Sequence, residues 1–334
     1  MLDDWLWHLQ AVWNYAVRKI ELDARDGIYY SLFDFQNSLK GHGKKLGIPS
    51  HTLHGVLSDA HIAWTHYFKQ IARKPRLKGR RNRFNSIPFP DPIHCPVDNH
   101  IRLPGVGRIR FHKQWLPKGR IKCGRVVRRA SGWYLCLFID AEPKSISVVT
   151  NREVGIDPGF KSLLTLSTGE KIAHPRELER AADRLAHAQR SRNNKRIGKV
   201  QEYIANLRKD RNHKLSRRLV SENKLIVMSK DNLTGMSRTF GKSVASSGIG
   251  QLRQMLDYKC RAGGRTYIEV DGRYSTMTCS ACGSRSGPTG WGGLAVRQWR
   301  CTDCGSLHDR DVNAARNTLL AGAGAAHERV YATA

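Results

Sequence analysis

Two short cysteine pairs constrain this chain more than any other feature. Cys279-x-x-Cys282 is followed, after eighteen residues, by Cys301-x-x-Cys304. Two C-x-x-C knuckles at this separation bring four sulfurs to the corners of a tetrahedron, the arrangement of a structural zinc ribbon. Gly283 and Gly305 each follow the second cysteine of a pair. A residue free to take φ > 0 there lets the chain turn back so that N–H groups face sulfur. Four thiolates fill the coordination sphere, so the Zn²⁺ is structural and leaves no open position for chemistry. The other four cysteines, Cys95, Cys123, Cys136 and Cys260, are scattered. That is the distribution of a protein in a reducing cytoplasm, not of a disulfide framework.

Length and charge bound the rest. The 334 residues allow about two domains, and a hydrophobic content of 40% is enough to bury a core. Lys and Arg number 57 against 28 Asp and Glu, a formal charge of +29. Such a compact chain repels itself unless a polyanion neutralises it, and nucleic acid is the obvious partner. No stretch approaches eighteen uninterrupted apolar residues, no basic-then-apolar leader opens the chain, and no lipidation site stands out. A membrane-spanning or exported protein is therefore not expected.

The first seventy residues predict helices. Leu6, Leu9, Trp13, Ala16, Val17 and Ile20 recur at helical spacing, as does a second apolar run from about Leu53 to Ile71. Trp13 and Tyr15 read as helix core. From Arg73 to Arg83 come seven basic residues and no acid: Arg73, Lys74, Arg76, Lys78, Arg80, Arg81 and Arg83. A charge run is usually just a solvated face. This one opens a zone to Arg129 holding seventeen Lys and Arg against only Asp91 and Asp98. Within it Ile101–Phe111, Arg120–Val127 and Trp133–Ile139 alternate as strands. Basic strands suit phosphate contacts, so residues 1–150 are expected to be a nucleic-acid recognition domain.

A boundary falls near Ala141–Asn151, and residues 151–334 form the second domain. Glu153–Ile156, Ser162–Ser167 and Lys171–Ala173 read as three strands, followed by a long polar helix or helix pair over 176–223. A strand at Lys224–Met228, a helix at Gly250–Ala262, a strand at Thr266–Val270 and a closing helix at Arg310–Ala321 complete the order. Three strands, helix, strand, helix, strand, helix is the order of an α/β, ribonuclease-H-like fold. The ribbon, at about 275–306, is inserted before the last helix.

Two acids stand at element ends. Asp157 closes a short apolar strand and precedes Pro158-Gly159, where a carboxylate on a central sheet is placed to hold Mg²⁺; turn capping is the ordinary alternative. Asp309-Arg310-Asp311 enters the last helix. Asp309 reads as a plain N-cap. Asp311, two residues further, within the first turn and backed by Ala314 and Ala315, is less readily explained that way. Two acids brought together from distant parts of a domain suit two-metal phosphodiester hydrolysis.

Gly155-Ile156-Asp157-Pro158-Gly159, the two cysteine knuckles with their glycines, and Asp309-Arg-Asp311-x-Asn-Ala-Ala together resemble TnpB. That is the OrfB-type family of small bacterial insertion sequences, related to the type V CRISPR effectors. Trp13-Asn14, Lys74-Pro-Arg-x-Lys78 and Arg211-Asn-His-Lys-Leu-Ser-Arg extend the resemblance over nearly the whole chain. It implies an RNA-guided DNA endonuclease with a RuvC-type domain, an inserted zinc ribbon and an N-terminal β-barrel and helical recognition domain. Its implied partners are a guide RNA and a double-stranded DNA target, with guide pairing reading the sequence.

The chain departs from the family pattern in two places. The family has a second catalytic Glu at the end of the fourth strand, where this chain carries Ser229. A hydroxyl is a poor Mg²⁺ ligand beside carboxylates. Three explanations stand open: the acid has moved to Glu269 on the neighbouring strand, or to Asp231 two residues on, or the protein binds DNA without cutting it. The expected catalytic set is thus Asp157, Glu269 and Asp311. The family also implies a basic strand ahead of the first helix, whereas here the helical pattern begins at once. A transposase acting through a covalent nucleophile is weakened by the lack of a Tyr or Ser constellation.

Overall fold

The computed structural model describes residues 1–80, 82–94, 99–112, 118–140, 150, 152–159, 162–174, 177–230, 248–293 and 295–332. The chain divides into two compact units, Met1–Glu142 and Pro143–Ala334.

The N-terminal unit begins with helix α1 (Leu2–Arg25), whose residues Trp5, Leu6, Leu9, Val12, Ala16 and Val17 make one buried face. Asp3 and Asp4 in its first turn and Arg25 in its last complement the helix dipole. Short helices α2 (Leu32–Asn37) and α3 (His42–Leu46) lead to α4 (Ser50–Phe68), which packs Leu53, Val56, Leu57, Ala60 and Trp64 into the same core. Strands β1 (Ser86–Phe89), β4 (Arg120–Arg128) and β5 (Trp133–Asp140) form an antiparallel sheet. The stretch Ile101–Phe111, read from sequence as one strand, is a hairpin of β2 (His100–Leu103) and β3 (Gly107–Arg110). The chain reverses at Pro104-Gly105, where Gly105 takes φ +72°. Among the described residues these five strands make two separate sheets. Arg125 of β4 holds Asp59 of α4 with two charge-assisted hydrogen bonds of 2.8 and 2.5 Å.

The second unit is built on a five-stranded sheet. Strands β6 (Arg152–Pro158), β7 (Ser162–Leu166) and β8 (Lys171–Ala173) run as an antiparallel meander. After α5 (Glu177–Arg190) and α6 (Asn194–Glu222), β9 (Asn223–Ser229) joins β6 in parallel. After α7 (Ile249–Ala262), β10 (Thr266–Val270) joins β9 in parallel. The spatial order is β10-β9-β6-β7-β8, with β6 at the centre. The polar 176–223 segment is two helices because Arg192 takes φ +50° and Asn193 caps the second helix, accepting Arg196 N–H at 3.0 Å.

The two sheet faces bury different residues. Val154, Ile156, Ile226 and Met228 face α6 and α7. Leu225, Val227, Ile268 and Val270 face the last helix, α9 (Arg310–Ala332), through Leu319 and Ala323. Between β10 and α9 the ribbon carries a helical turn α8 (Gly290–Gly293) and a two-stranded hairpin, β11 (Gln298–Arg300) with β12 (Leu307–Asp309). Gly155 fixes how closely α9 lies on β6. A Cβ there would stand 2.0 Å from the Ala315 carbonyl oxygen and 2.8 Å from Leu319. No helix of the described residues is long and apolar enough to cross a membrane.

Candidate catalytic and metal-binding sites

Asp157 lies near the C-terminal end of β6, two residues beyond Gly155 and so on the face that α9 covers. The ladder runs Asp157↔Thr165↔Lys171 across β7 and β8. Lys171 Nζ meets Asp309 Oδ2 at 2.7 Å, which sets the start of α9 at the level of Asp157. Asp309 Oδ1 accepts N–H from Asp311 and Val312, both at 3.1 Å; it is the N-cap. Burial works against its ionisation, but the Lys171 ammonium and those two N–H groups outweigh it and hold its pKa below the ordinary value. Asp311 lies one turn before Ala315 on the stripe that meets Gly155, with one carboxylate oxygen 3.7 Å from Arg297 Nη1. Asp157 and Asp311 thus come to the same end and the same face of the sheet.

Ser229 joins them. It is fully buried, and its hydroxyl donates to Asp157 Oδ1 at 3.4 Å. Its carbonyl accepts Arg253 Nη2 at 2.8 Å. Glu269, expected as the third acid, is turned away. It pairs in parallel with Met228, while Val270 pairs with Ser229. Paired residues of adjacent strands share a face, so Glu269 stands with Met228 on the α7 side. Its Oε1 accepts the Tyr267 hydroxyl at 2.9 Å, in a polar depression with Arg253, Gln254 and Asp257. Only position 270 of this strand would carry an acid to Asp157. Asp231 lies outside the described residues.

The four ribbon sulfurs all lie within 4.8 Å of one another, with Cys279–Cys304 at 3.7 Å and Cys282–Cys301 at 3.6 Å. A tetrahedron with Zn–S bonds near 2.3 Å has S···S edges of roughly 3.8 Å. Each knuckle closes the same way. Gly283 N–H bonds Cys279 O at 2.9 Å and Gly305 N–H bonds Cys301 O at 3.0 Å, with both glycines at positive φ. The donors' chemistry agrees. The Ser286 hydroxyl draws Cys301 down to about 6. The Ser284 N–H also lowers Cys282, yet the crowding Cys304, Cys279 and Cys301 sulfurs and burial push it up to about 12. Four thiolates this close repel one another, and a divalent cation removes the conflict. His308, which the sequence did not single out, is buried with its Nε2 at 3.0 Å from Cys279 Sγ. The four cysteines could hold a metal such as zinc.

In the N-terminal unit, Arg73, Lys74, Arg76, Arg80 and Arg83 are exposed and Lys78 is half-buried; Arg81 lies outside the described residues. The segment's backbone is hung on α1. Asn14 donates Nδ2 to Lys78 O at 2.9 Å and accepts Lys78 N–H at 2.7 Å. Trp13 Nε1 donates to Arg76 O at 3.0 Å, and Gln10 Oε1 accepts Phe84 N–H at 3.2 Å. Lys74 pairs with Glu21 at 2.7 Å, and Lys78 Nζ lies 5.5 Å from the Trp13 ring. Trp13 therefore combines packing with a backbone bond. The polar pair Gln10 and Asn14, four residues apart beside an apolar stripe, was the available sequence signal for this clamp.

Comparison with known proteins bears on the family of the chain. The family described as Cas12f1-like, TNB domain matches residues 250–318, and the OrfB family described as Probable transposase matches 139–239. A Streptomyces pristinaespiralis protein provisionally named RNA-guided DNA endonuclease is 33% identical over 295 residues, 82% of this chain and 72% of that one. The RNA-guided DNA endonuclease InsQ of Escherichia coli K12, also provisionally named, is 25% identical over 304 residues, 82% of this chain and 75% of its own. A solved Cas12f1 complex with single guide RNA and target DNA aligns over 95% of this chain and 94% of that chain, at 15% identity and a TM-score of 0.40. With 33% identity across most of both chains, the protein belongs to the TnpB family.

Proposed function

We propose that this protein is an RNA-guided DNA endonuclease that hydrolyses phosphodiesters with Mg²⁺ at Asp157 and Asp311. One observation carries the reading: the register of β6–β8 and the docking of α9 bring two sequence-distant acids to one end of the sheet. Family membership and the names of the relatives support it. In this reading residues 151–334 are a ribonuclease-H-like, RuvC-type domain with the zinc ribbon at 275–306. The meander joined by two parallel strands is the supporting topology. Residues 1–150 are the recognition domain, and its two sheets, sharing the core of Ile101, Leu103, Ile121 and Val126, are the walls of an open barrel. Guide RNA and duplex DNA are the partners, and Arg73–Arg83 contacts phosphates. Cys123, Cys136 and Cys260, the described cysteines outside the ribbon, form no disulfide, which fits a cytoplasmic setting.

Mg²⁺, when bound, would supply Lewis-acid chemistry for phosphodiester hydrolysis. Asp157 and Asp311 would provide its oxygen ligands, Ser229 would orient the Asp157 carboxylate through its long 3.4 Å hydrogen bond, and Arg297 would balance Asp311.

The alternative, which the names of the relatives do not favour, is a protein that holds guided DNA without cutting it; it rests on Ser229, whose buried hydroxyl adds no charge. Plasmid cleavage in Mg²⁺, with the protein co-expressed with its flanking RNA, separates the two. Cutting that Asp157→Ala reduces by about a thousandfold or more, and that Ser229→Glu raises, supports the nuclease. Guide-dependent retention of target without cutting, with activity gained only in Ser229→Glu, establishes the binding protein instead.

A further inference from the structure

The first knuckle of the ribbon is tied to α9 by two asparagines that take no part in holding metal. Asn313 is 1% exposed. Its Oδ1 accepts the N–H of Ser280, the residue after Cys279, at 2.9 Å. Its Nδ2 donates to the carbonyls of Thr278 at 2.7 Å and Ser275 at 3.1 Å. One turn further, Asn317 Nδ2 donates to the carbonyls of Ser275 and Thr278 at 2.7 and 2.6 Å. Helix packing alone would be served by an apolar residue, as at the neighbouring, fully buried Ala314 and Ala315. A buried amide is costly unless its polar atoms are paired. Here both ends of Asn313 are spent on the backbone that flanks a metal ligand.

The rest of the Asp311 turn is held from the same segment. Arg310 N–H bonds Arg297 O at 2.8 Å, Arg310 Nη1 donates to Gly293 O at 3.0 Å, and Arg297 pairs with Asp311. Ser275, Thr278, Ser280, Gly293 and Arg297 all belong to the ribbon.

We propose that Asn313 and Asn317 are positioning residues through which zinc in the ribbon fixes the helical turn that carries Asp311. With zinc bound, the Cys279–Gly283 knuckle is rigid and presents its carbonyls and N–H to the two amides. Without it, four sulfurs at mutual contact lose the ion that holds them, and the knuckle and the first turn of α9 loosen together. The consequence for cleavage rests on the reading of Asp311 as a Mg²⁺ ligand; the mechanical coupling does not.

Hydrogen exchange on the full chain tests the coupling directly, read on peptides spanning 309–317 before and after zinc removal by a chelator. Zinc removal from the wild type should speed exchange there by about tenfold or more. Asn313→Ala should produce the same acceleration while still retaining one zinc, and zinc removal should then add little, because the two perturbations break one connection. Asn317→Ala, which loses donors only, should act in the same direction more weakly. Asn212→Ala, at a buried asparagine of α6 bonded to Gly248 O, should leave the zinc response of 309–317 intact even if it lowers stability. Unchanged exchange on zinc removal, or fully additive effects of zinc removal and Asn313→Ala, overturns the proposal. Mn²⁺ binding monitored by electron paramagnetic resonance isolates the other reading. Mn²⁺ affinity reduced about tenfold in zinc-bound Asn313→Ala supports a positioned Asp311. Coupled exchange without any Mn²⁺ binding in the wild type leaves the coupling standing and removes Asp311 as a ligand.

Discussion

The ribbon and the acid end of the sheet are both candidate metal sites of one unit, yet they are assembled on different scales. All four ribbon donors fall between Cys279 and Cys304, and two matching five-residue turns set the sulfur positions. The acid end draws Asp157 from the first strand of the unit and Asp311 from its last helix, and its geometry depends on strand register and helix docking. A local site of this kind survives changes elsewhere in the fold, whereas a site assembled by topology moves whenever its elements slide.

Substitutions should separate the two. The largest effect belongs to Cys301→Ser, since structural zinc in small modules contributes on the order of 10 kcal/mol to folding. Elemental analysis of the purified protein should show zinc falling well below one per chain; full occupancy at unchanged affinity would contradict the four-thiolate site. Gly155→Ala is the converse. Its Cβ would collide with the Ala315 carbonyl, a backbone atom that cannot rotate aside, so α9 must lift. A loss of about 1–3 kcal/mol by urea unfolding is expected, with zinc content unchanged. An unmoved midpoint would mean that the helix does not lie this close.

Smaller effects sharpen the contrast. Asp309 has its pKa depressed in the folded chain. It therefore contributes stability above its ordinary value near 3.9, and loses that contribution as pH falls through the lower folded value. Asp309→Asn should be less stable than wild type at pH 7 by about 1 kcal/mol or less, given its partial exposure. The two should converge only at pH below the ordinary carboxylate range. A gap independent of pH would assign the effect to packing. Least of all, Glu269→Gln should leave cleavage within about twofold and stability within about 0.5 kcal/mol; a hundredfold loss of cutting would mean that β10 is out of register with β9.

The same difference of scale explains what the sequence made visible. The cysteine spacing states the ribbon outright, and Thr266–Val270 was delimited correctly at both ends because Gly264 and Asp271-Gly272 punctuate a β-branched and aromatic run. The phase of that strand was not visible. Whether position 269 or 270 stands beside Ser229 is decided by how α7 seats against the sheet, because a parallel pair is joined by a crossover and not by a tight hairpin turn that would fix the register. The β2–β3 hairpin was hidden for a related reason, since alternation continues through Pro104-Gly105 after the chain has reversed. Buried asparagines such as Asn313 leave no periodic trace at all, because their role is fixed by carbonyls more than thirty residues away.

The attachment of the basic segment to α1 has a consequence in entropy. A free basic tail loses about 1–2 kcal/mol of backbone freedom for each residue that becomes ordered on a polyanion. At Arg76, Lys78 and Phe84 part of that loss has already occurred on folding, in the bonds to Trp13, Asn14 and Gln10. A phosphate backbone arriving at this surface meets cations on a track already laid, so more of each electrostatic contact is kept as affinity.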